Sequence, residues 1–167
     1  MKENEIRLLA ELLRNSKKSD RELGRVLGVS QATVSRTRTK LERDGVIQEY
    51  TVIPDFAKLG IELLAITFGV WSHEKIKEYS EGERLEKAKR FLSDYPNAIF
   101  ASSGEGLEKS RVIISLHKNY TEYAEFMRQA KSEWAGLVDL ESFIISLKAD
   151  VAPIPFSFRN LGKYVEK

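Results

Sequence analysis

The chain has 167 residues, 42% hydrophobic and 31% charged, an ordinary globular composition with room for one or two small cores. It contains no cysteine and carries a net charge of +2, which excludes disulfides and thiolate metal sites and rules out a generic polycation. No apolar run approaches the roughly 18 residues of a membrane helix, and no signal-peptide start is present, so a cytoplasmic protein without membrane contact is expected.

Residues 5–14 repeat Ile6, Leu9, Leu12 and Leu13 at helical spacing, predicting an amphipathic helix that covers a neighbouring helical pair. Residues 19–47, SDRELGRVLGVSQATVSRTRTKLERDGVI, supply that pair and read as a helix, a tight turn, a second helix and a β-wing. Ser19 is a candidate N-cap and Glu22 completes its capping box. Leu23, Val26 and Leu27 are expected on one face, and Gly28 stops the helix because glycine takes the left-handed conformation without steric cost. Ser30 caps the second helix, whose buried face carries Val34 and Leu41. Two helices crossing through a short turn need a small residue, a positive-φ residue and a branched apolar anchor, and Gly24, Gly28 and Val34 stand where these are required.

The other face of the second helix carries Gln31, Thr33, Ser35, Arg36, Thr39 and Lys40, a donor-rich set able to meet double-stranded DNA. Gln31 and Arg36, in the part that enters a major groove, are the candidate base readers; Thr33, Ser35, Thr39 and Lys40 are candidate phosphate contacts, and Ser30 and Arg38 complete the DNA-binding set. Between residues 14 and 44 nine Lys or Arg stand against four Asp or Glu, a local charge of +5 that leaves the rest of the chain at −3. Affinity must then come from a focused patch, doubled in a dimer.

After Asp44-Gly45, the run QEYTVI reads as the wing strand, with Tyr50 and Val52 alternating against polar neighbours before Pro54-Asp55 turns the chain. This gives a winged helix-turn-helix domain over residues 1–55 and a linker over 56–60. Strands are predicted at residues 61–71, 98–103, 111–118 and 138–148. Helices are predicted at 83–94, with Leu85, Ala88, Phe91 and Leu92 inward, and at 121–134, with Tyr123, Phe126, Met127 and Ala130 inward. The class is α+β: a ferredoxin-like βαββαβ sandwich over residues 61–150, followed by a tail at 151–167. Alternation in AITFGVW and VIISL leaves apolar side chains on both sheet faces, so a second copy of the chain is expected on the side the helices do not cover.

No catalytic or metal centre emerges. His73 and His117 are the only histidines and have no ligand-spaced partners, with His117 expected at the surface; Glu105 and Glu108 have no nucleophile beside them, and Trp71 and Trp134 read as core or interface aromatics. No cofactor is called for. Residues 102–106, SSGEG, read as a mobile hairpin loop; if a small effector binds, Gly104, Glu105 and Gly106 are the candidate site, since glycine permits close backbone approach.

LGVS at 27–30, TVSR at 33–36, LE at 41–42 and GVI at 45–47, then a Pro-Asp turn, a leucine-glycine pair and the βαββαβ pattern, resemble the archaeal-type Lrp/AsnC (feast/famine) transcriptional regulators over nearly the whole chain. The resemblance implies a sequence-specific DNA-binding regulator that dimerises through its second domain, can assemble into octamers or discs, and senses amino acids between dimers. The chain departs from the pattern in four places. Arg38 stands where the family has an apolar residue, the turn at 104–110 is longer and lacks an Asp, residues 72–82 form an insertion, and a Pro-rich apolar tail occupies 152–158. Two alternatives use the same architecture. Sirohaem decarboxylases resemble both domains, but their His-Tyr-x-Arg motif is missing here and the second strand, AIFASS, has no histidine. A sequence-tolerant architectural DNA binder is the other.

Overall fold

The computed structural model describes residues 1–72, 74–148 and 153–166. His73, Ala152 and the expected domain boundary at 150/151 lie outside them. The described chain forms two compact units, Met1–Ile53 joined by the C-terminal residues from 153 onward, and the stretch that begins at Pro54.

The first unit is built on α1 (Glu3–Arg14), α2 (Asp20–Leu27) and α3 (Gln31–Arg43) around Leu8, Leu12, Leu23, Leu27, Val34 and Leu41, with Val29 and Ile47 packed against them. Two details of the predicted faces differ. Leu8 and Ala10 are buried in α1 while Ile6, Leu9 and Leu13 are half-buried, because the stripe facing α2 and α3 runs through Leu8 and its neighbour one turn on, Leu12. Val26 is 52% exposed, since α3 covers the Leu23, Gly24 and Leu27 flank of α2. Both N-caps form: Ser19 and Glu22 exchange side-chain and backbone bonds in a capping box, and Ser30 Oγ accepts from the Thr33 amide at 3.1 Å. Gly28 is left-handed at φ 71°, and a Cβ on Gly24 would lie 2.8 Å from the Val29 carbonyl oxygen, so the two glycines serve the turn for different reasons.

The expected wing strand is absent. Residues 48–53 belong to no helix or strand, and among the described residues they form no backbone–backbone hydrogen bond. A strand needs a neighbour, and among the described residues of this unit no strand is there to pair with it. The tail adds a helix that its Pro-rich start did not announce. α6 (Leu161–Val165) lies on α1, with Gly162 buried so closely that a Cβ there would meet the Ala10 carbonyl oxygen at 2.7 Å. Arg14 reaches the Gly162 carbonyl oxygen at 3.3 Å and pairs with Glu166.

The second unit holds β1 (Leu63–Trp71), α4 (Glu81–Ser93), β2 (Ala98–Gly106), β3 (Lys109–His117), α5 (Tyr120–Glu133) and β4 (Val138–Ser146). The strands make one antiparallel sheet in the order β2-β3-β1-β4, the ferredoxin-like arrangement. Both helices lie on one face. Tyr123, Phe126 and Met127 of α5 cluster over Ala65, and Phe91 of α4 touches both Phe126 and Trp134. Leu85, expected inward, is 55% exposed, because α4 turns Arg84, Lys87, Ala88 and Phe91 inward instead; the Arg84 guanidinium lies over the Trp71 ring and the Lys87 ammonium over that of Trp134. The insertion forms a short 3-10 turn, Lys75–Glu78, before the Ser80–Glu83 capping box that starts α4.

The expected loop at 102–106 is a correction as well. These residues belong to β2, and the connection shrinks to Leu107 and Glu108, both at positive φ (52° and 58°) between paired Gly106 and Lys109. That is a two-residue hairpin turn of the sense that matches strand twist. The extra length is absorbed by a register shift between Ser103 and Gly106.

Candidate nucleic-acid interface

Along α3, helical geometry puts Val34 and Leu41 in the core and leaves Gln31, Ser35, Arg36, Thr39, Lys40 and Arg43 exposed on the other side. The cap engages two of the predicted contacts with the helix itself, since Ser30 and Thr33 hydroxyls lie 2.9 Å apart and Ser30 holds the Thr33 amide. That bonding starts the helix in a fixed direction. Arg36 Nε donates to the Ala32 carbonyl oxygen at 3.2 Å, so the exposed side chain lies back along the helix. Gln31 and Ser35 stand on the same stretch. Together these give a short polar ridge at the N-terminal half of α3, the part of such a helix that meets base edges.

Two predicted contacts are held by internal carboxylates. Lys40 Nζ lies 2.5 Å from Glu5 Oε1 and 3.5 Å from Asp44 Oδ2. The Lys40 ammonium, with the Lys2 backbone amide, holds the buried Glu5 carboxyl below its ordinary range. Arg38 donates to Asp20 through Nε and Nη2 and to the Tyr50 hydroxyl through Nη1. Reading the sequence missed Asp20 and Tyr50 as its partners. The signal was an arginine one turn from Val34 on a face that packs, which calls for an acceptor in reach. A cleft opens between the start of α1 and α3, lined by Lys2, Glu3, Asn4, Glu5, Arg36, Thr37 and Lys40.

In the second unit, Gly104, Glu105 and Gly106 are exposed on β2, an edge strand, beside Ser103, which accepts a bond from Arg111. His117 is not at the surface but 1% exposed, because its position in β3 alternates onto the helix-covered face opposite Leu63. Its ring nitrogens lie 2.9 Å from Ser115 Oγ and 3.2 Å from Asn97 Nδ2, and Tyr123 packs on it edge to face. Burial pushes the imidazole below its ordinary value, against a smaller opposing pull from Glu122. Among the described residues no group of three or more His, Cys, Asp or Glu could hold a metal ion, and no helix is long and apolar enough to cross a membrane.

Comparison with known proteins agrees with this geometry. A family model described as winged helix-turn-helix DNA-binding matches residues 1–48. A helix-turn-helix-type transcriptional regulator of Pyrococcus horikoshii is 36% identical over 122 residues, covering 73% of this chain and 76% of that protein. The transcriptional regulator LrpC of Bacillus subtilis is 31% identical over 96 residues, 58% of this chain and 60% of LrpC. The LrpC structure superposes with a TM-score of 0.72 over 92% of this chain and 99% of that one, at 20% identity. A Neisseria meningitidis transcriptional regulator solved as a complex with L-Met superposes at 0.77 over 94% of each chain, at 15% identity, a likeness of fold alone. The helix-turn-helix geometry, the four-stranded sheet that comes after it in the chain and the relatives that share both place this chain in the Lrp/AsnC family of DNA-binding transcriptional regulators.

Proposed function

We propose that the protein is a cytoplasmic, sequence-specific regulator that binds double-stranded DNA as a homodimer or a larger assembly, up to an octamer, with residues 1–55 reading DNA and residues 61–150 assembling copies and receiving a small effector. The carrying observation is the exposed polar ridge of α3, set on a capped and glycine-tightened turn. Gln31 and Arg36 read base edges, while Ser35 and Thr39 meet phosphates; Ser30 and Thr33 aim the helix, and Arg38 and Lys40 carry its positive charge beside the carboxylates that hold them. Paired helices in a dimer reach successive major grooves about one helical turn apart.

Dimerisation uses the sheet face opposite the helices. Register brings Ile66 and Phe68 of β1, Val112 and Ile114 of β3, and Phe143 and Ile145 of β4 onto that side, where Phe143 is 64% exposed. So large an apolar surface favours cover by an identical sheet. The effector is an amino acid or similar small molecule, as in the Neisseria complex with L-Met, and Gly104, Glu105 and Gly106 are its site, where exposed strand backbone offers unpaired groups. Thermal-shift titration with free amino acids at millimolar concentration should raise the melting temperature for one of them; no shift by any would remove the amino-acid effector.

The deciding experiment is fluorescence anisotropy on DNA from upstream of the protein's own gene and on a scrambled duplex, across a salt series, with Arg36→Ala alongside. Upstream-selective binding that Arg36→Ala weakens and makes less selective is expected. Equal binding to both duplexes would favour an architectural DNA binder, and no binding at low salt would reject the reading of α3.

A further inference from the structure

An arginine in the packing face of the recognition helix is expensive to keep unless something holds it, and here two residues do, Asp20 and Tyr50. Arg38 Nε and Nη2 donate to Asp20 Oδ1 at 2.9 and 2.6 Å, and Nη1 donates to the Tyr50 hydroxyl at 3.3 Å. The Tyr50 hydroxyl in turn donates to Glu42 Oε1 at 2.8 Å, and the guanidinium carbon lies 5.9 Å from the Tyr50 ring centroid. One side chain of α3 thereby ties the first residue of α2 to the segment that leaves α3. Burial works against the Arg38 charge, yet the bonds to Tyr50 and Asp20 outweigh it and raise the guanidinium above its ordinary value.

The segment it holds has few other attachments. Val46 and Ile47 donate to the Leu41 carbonyl oxygen, but among the described residues 48–53 make no backbone–backbone hydrogen bond, and Val52 is 84% exposed. Where a β-wing would be fixed by its ladder, this segment is fixed by a tyrosine side chain on Arg38 and Glu42. The guanidinium is also poorly placed to leave. Taking it to a phosphate would strip Asp20 of its partner and set a bare carboxylate beside a polyanion.

We propose that Arg38 is a positioning residue for DNA recognition: through Asp20, Tyr50 and Glu42 it fixes the 46–53 segment and the start of α2 against α3, and so sets sequence discrimination without itself contacting DNA. The inference rests on α3 being the DNA-reading helix, and its test has one arm that needs no DNA. In that arm, hydrogen exchange at the Val46 and Ile47 amides, the two in the segment that donate backbone hydrogen bonds, is followed in the full-length protein and in Arg38→Gln, Arg38→Lys and Tyr50→Phe. Exchange should speed by roughly three- to tenfold in Arg38→Gln and Tyr50→Phe, the range of a lost contact pair, with partial recovery in Arg38→Lys, which keeps the charge for Asp20. In the DNA arm, Arg38→Gln and Tyr50→Phe should each narrow the ratio of upstream to scrambled binding while leaving the slope of log K against log salt unchanged. Tyr50→Phe removes no charge, so it separates positioning from phosphate contact. Unchanged exchange in both variants would overturn the proposal. So would Arg38→Gln weakening both duplexes alike with the slope reduced by about one, the signature of a lost phosphate contact. If the unsubstituted protein binds neither duplex, the reading of α3 fails and with it the DNA role assigned to Arg38, while the exchange arm still reports whether the clamp exists.

Discussion

Gly24 and Gly28 sit four residues apart and are glycine for unrelated reasons, which their alanine variants should separate. At Gly24 a Cβ would press on the Val29 carbonyl oxygen at 2.8 Å, and backbone cannot move aside as a flexible side chain can. Overpacking of this kind costs about 1–3 kcal/mol, against the roughly 1 kcal/mol of helix propensity that alanine gains over glycine. Gly24→Ala should therefore lower the unfolding midpoint of the first unit. At Gly28 nothing lies within 4 Å, and Gly28→Ala should cost only the left-handed backbone strain at φ 71°, about 1 kcal/mol. Equal unfolding midpoints for wild type and Gly24→Ala would show that the helices are not in close contact there. His117 makes a pH prediction in the other unit. Its folded pKa lies below the ordinary 6.5 because burial disfavours the imidazolium. The unfolded chain thus takes up the proton first as pH falls, so this contribution to stability is complete above pH 6.5 and declines as pH drops from there toward the folded pKa. Denaturant midpoints should fall as the pH drops below 6.5, and His117→Gln should flatten that part of the profile.

At the scale of elements, α6 is the feature with the clearest consequence. A buried glycine against the Ala10 carbonyl oxygen leaves no space for a side chain, so Gly162→Val should displace the C-terminal helix from α1, while Glu166→Gln weakens only the pair with Arg14. Limited proteolysis would read this as release of the C-terminal segment in Gly162→Val; retention at the wild-type rate would show that the docking does not depend on that contact. Elements of this size differ in how visible they are in a sequence. Both helices of the turn could be read to their caps, because Ser19, Gly28 and Ser30 act on neighbouring backbone and their effect is local. The four strands and α5 were legible for the same reason, with Tyr123, Phe126, Met127 and Ala130 inward as spaced. What failed depended on distant partners. QEYTVI has the alternation of a strand and, among the described residues, no strand beside it, α4 swaps Leu85 for Arg84 and Lys87 because two tryptophan rings receive their charged groups, and the 104–106 stretch joins β2 because β3 extends to meet it. The candidate site divides along the same line: the exposed ridge of α3 follows from its own periodicity, whereas the Arg38 and Lys40 pairings with Asp20 and Glu5 are set by residues 18 and 35 positions away.

For the whole molecule the central question is what covers the open sheet face, because one reading helix makes a weak operator contact and two make a selective one. The face presents Ile66, Phe68, Val112, Ile114, Phe143 and Ile145 on three adjacent strands, with Phe100 of β2 paired to Ile114 at the edge. Stable interfaces bury on the order of 800 Å² per partner and place large apolar residues at their centre. Phe143 meets that description while remaining 64% exposed in the single chain, so its replacement tests assembly without opening a core. Phe143→Asp puts a charge on each side of the proposed two-fold contact, where two carboxylates would face an apolar surface and one another. Sedimentation at micromolar concentration should then show monomer in place of dimer, with an unchanged far-UV spectrum as evidence that the sheet still folds. DNA binding should follow suit: with one recognition helix in place of two, the number of neutralised phosphates is roughly halved, and the slope of log K against log salt falls in proportion. A Phe143→Asp protein that sediments as wild type would reject this face as the dimer contact. One that becomes monomeric yet keeps the full salt slope would show that a single copy carries the entire DNA footprint, and that assembly serves something other than pairing the reading helices.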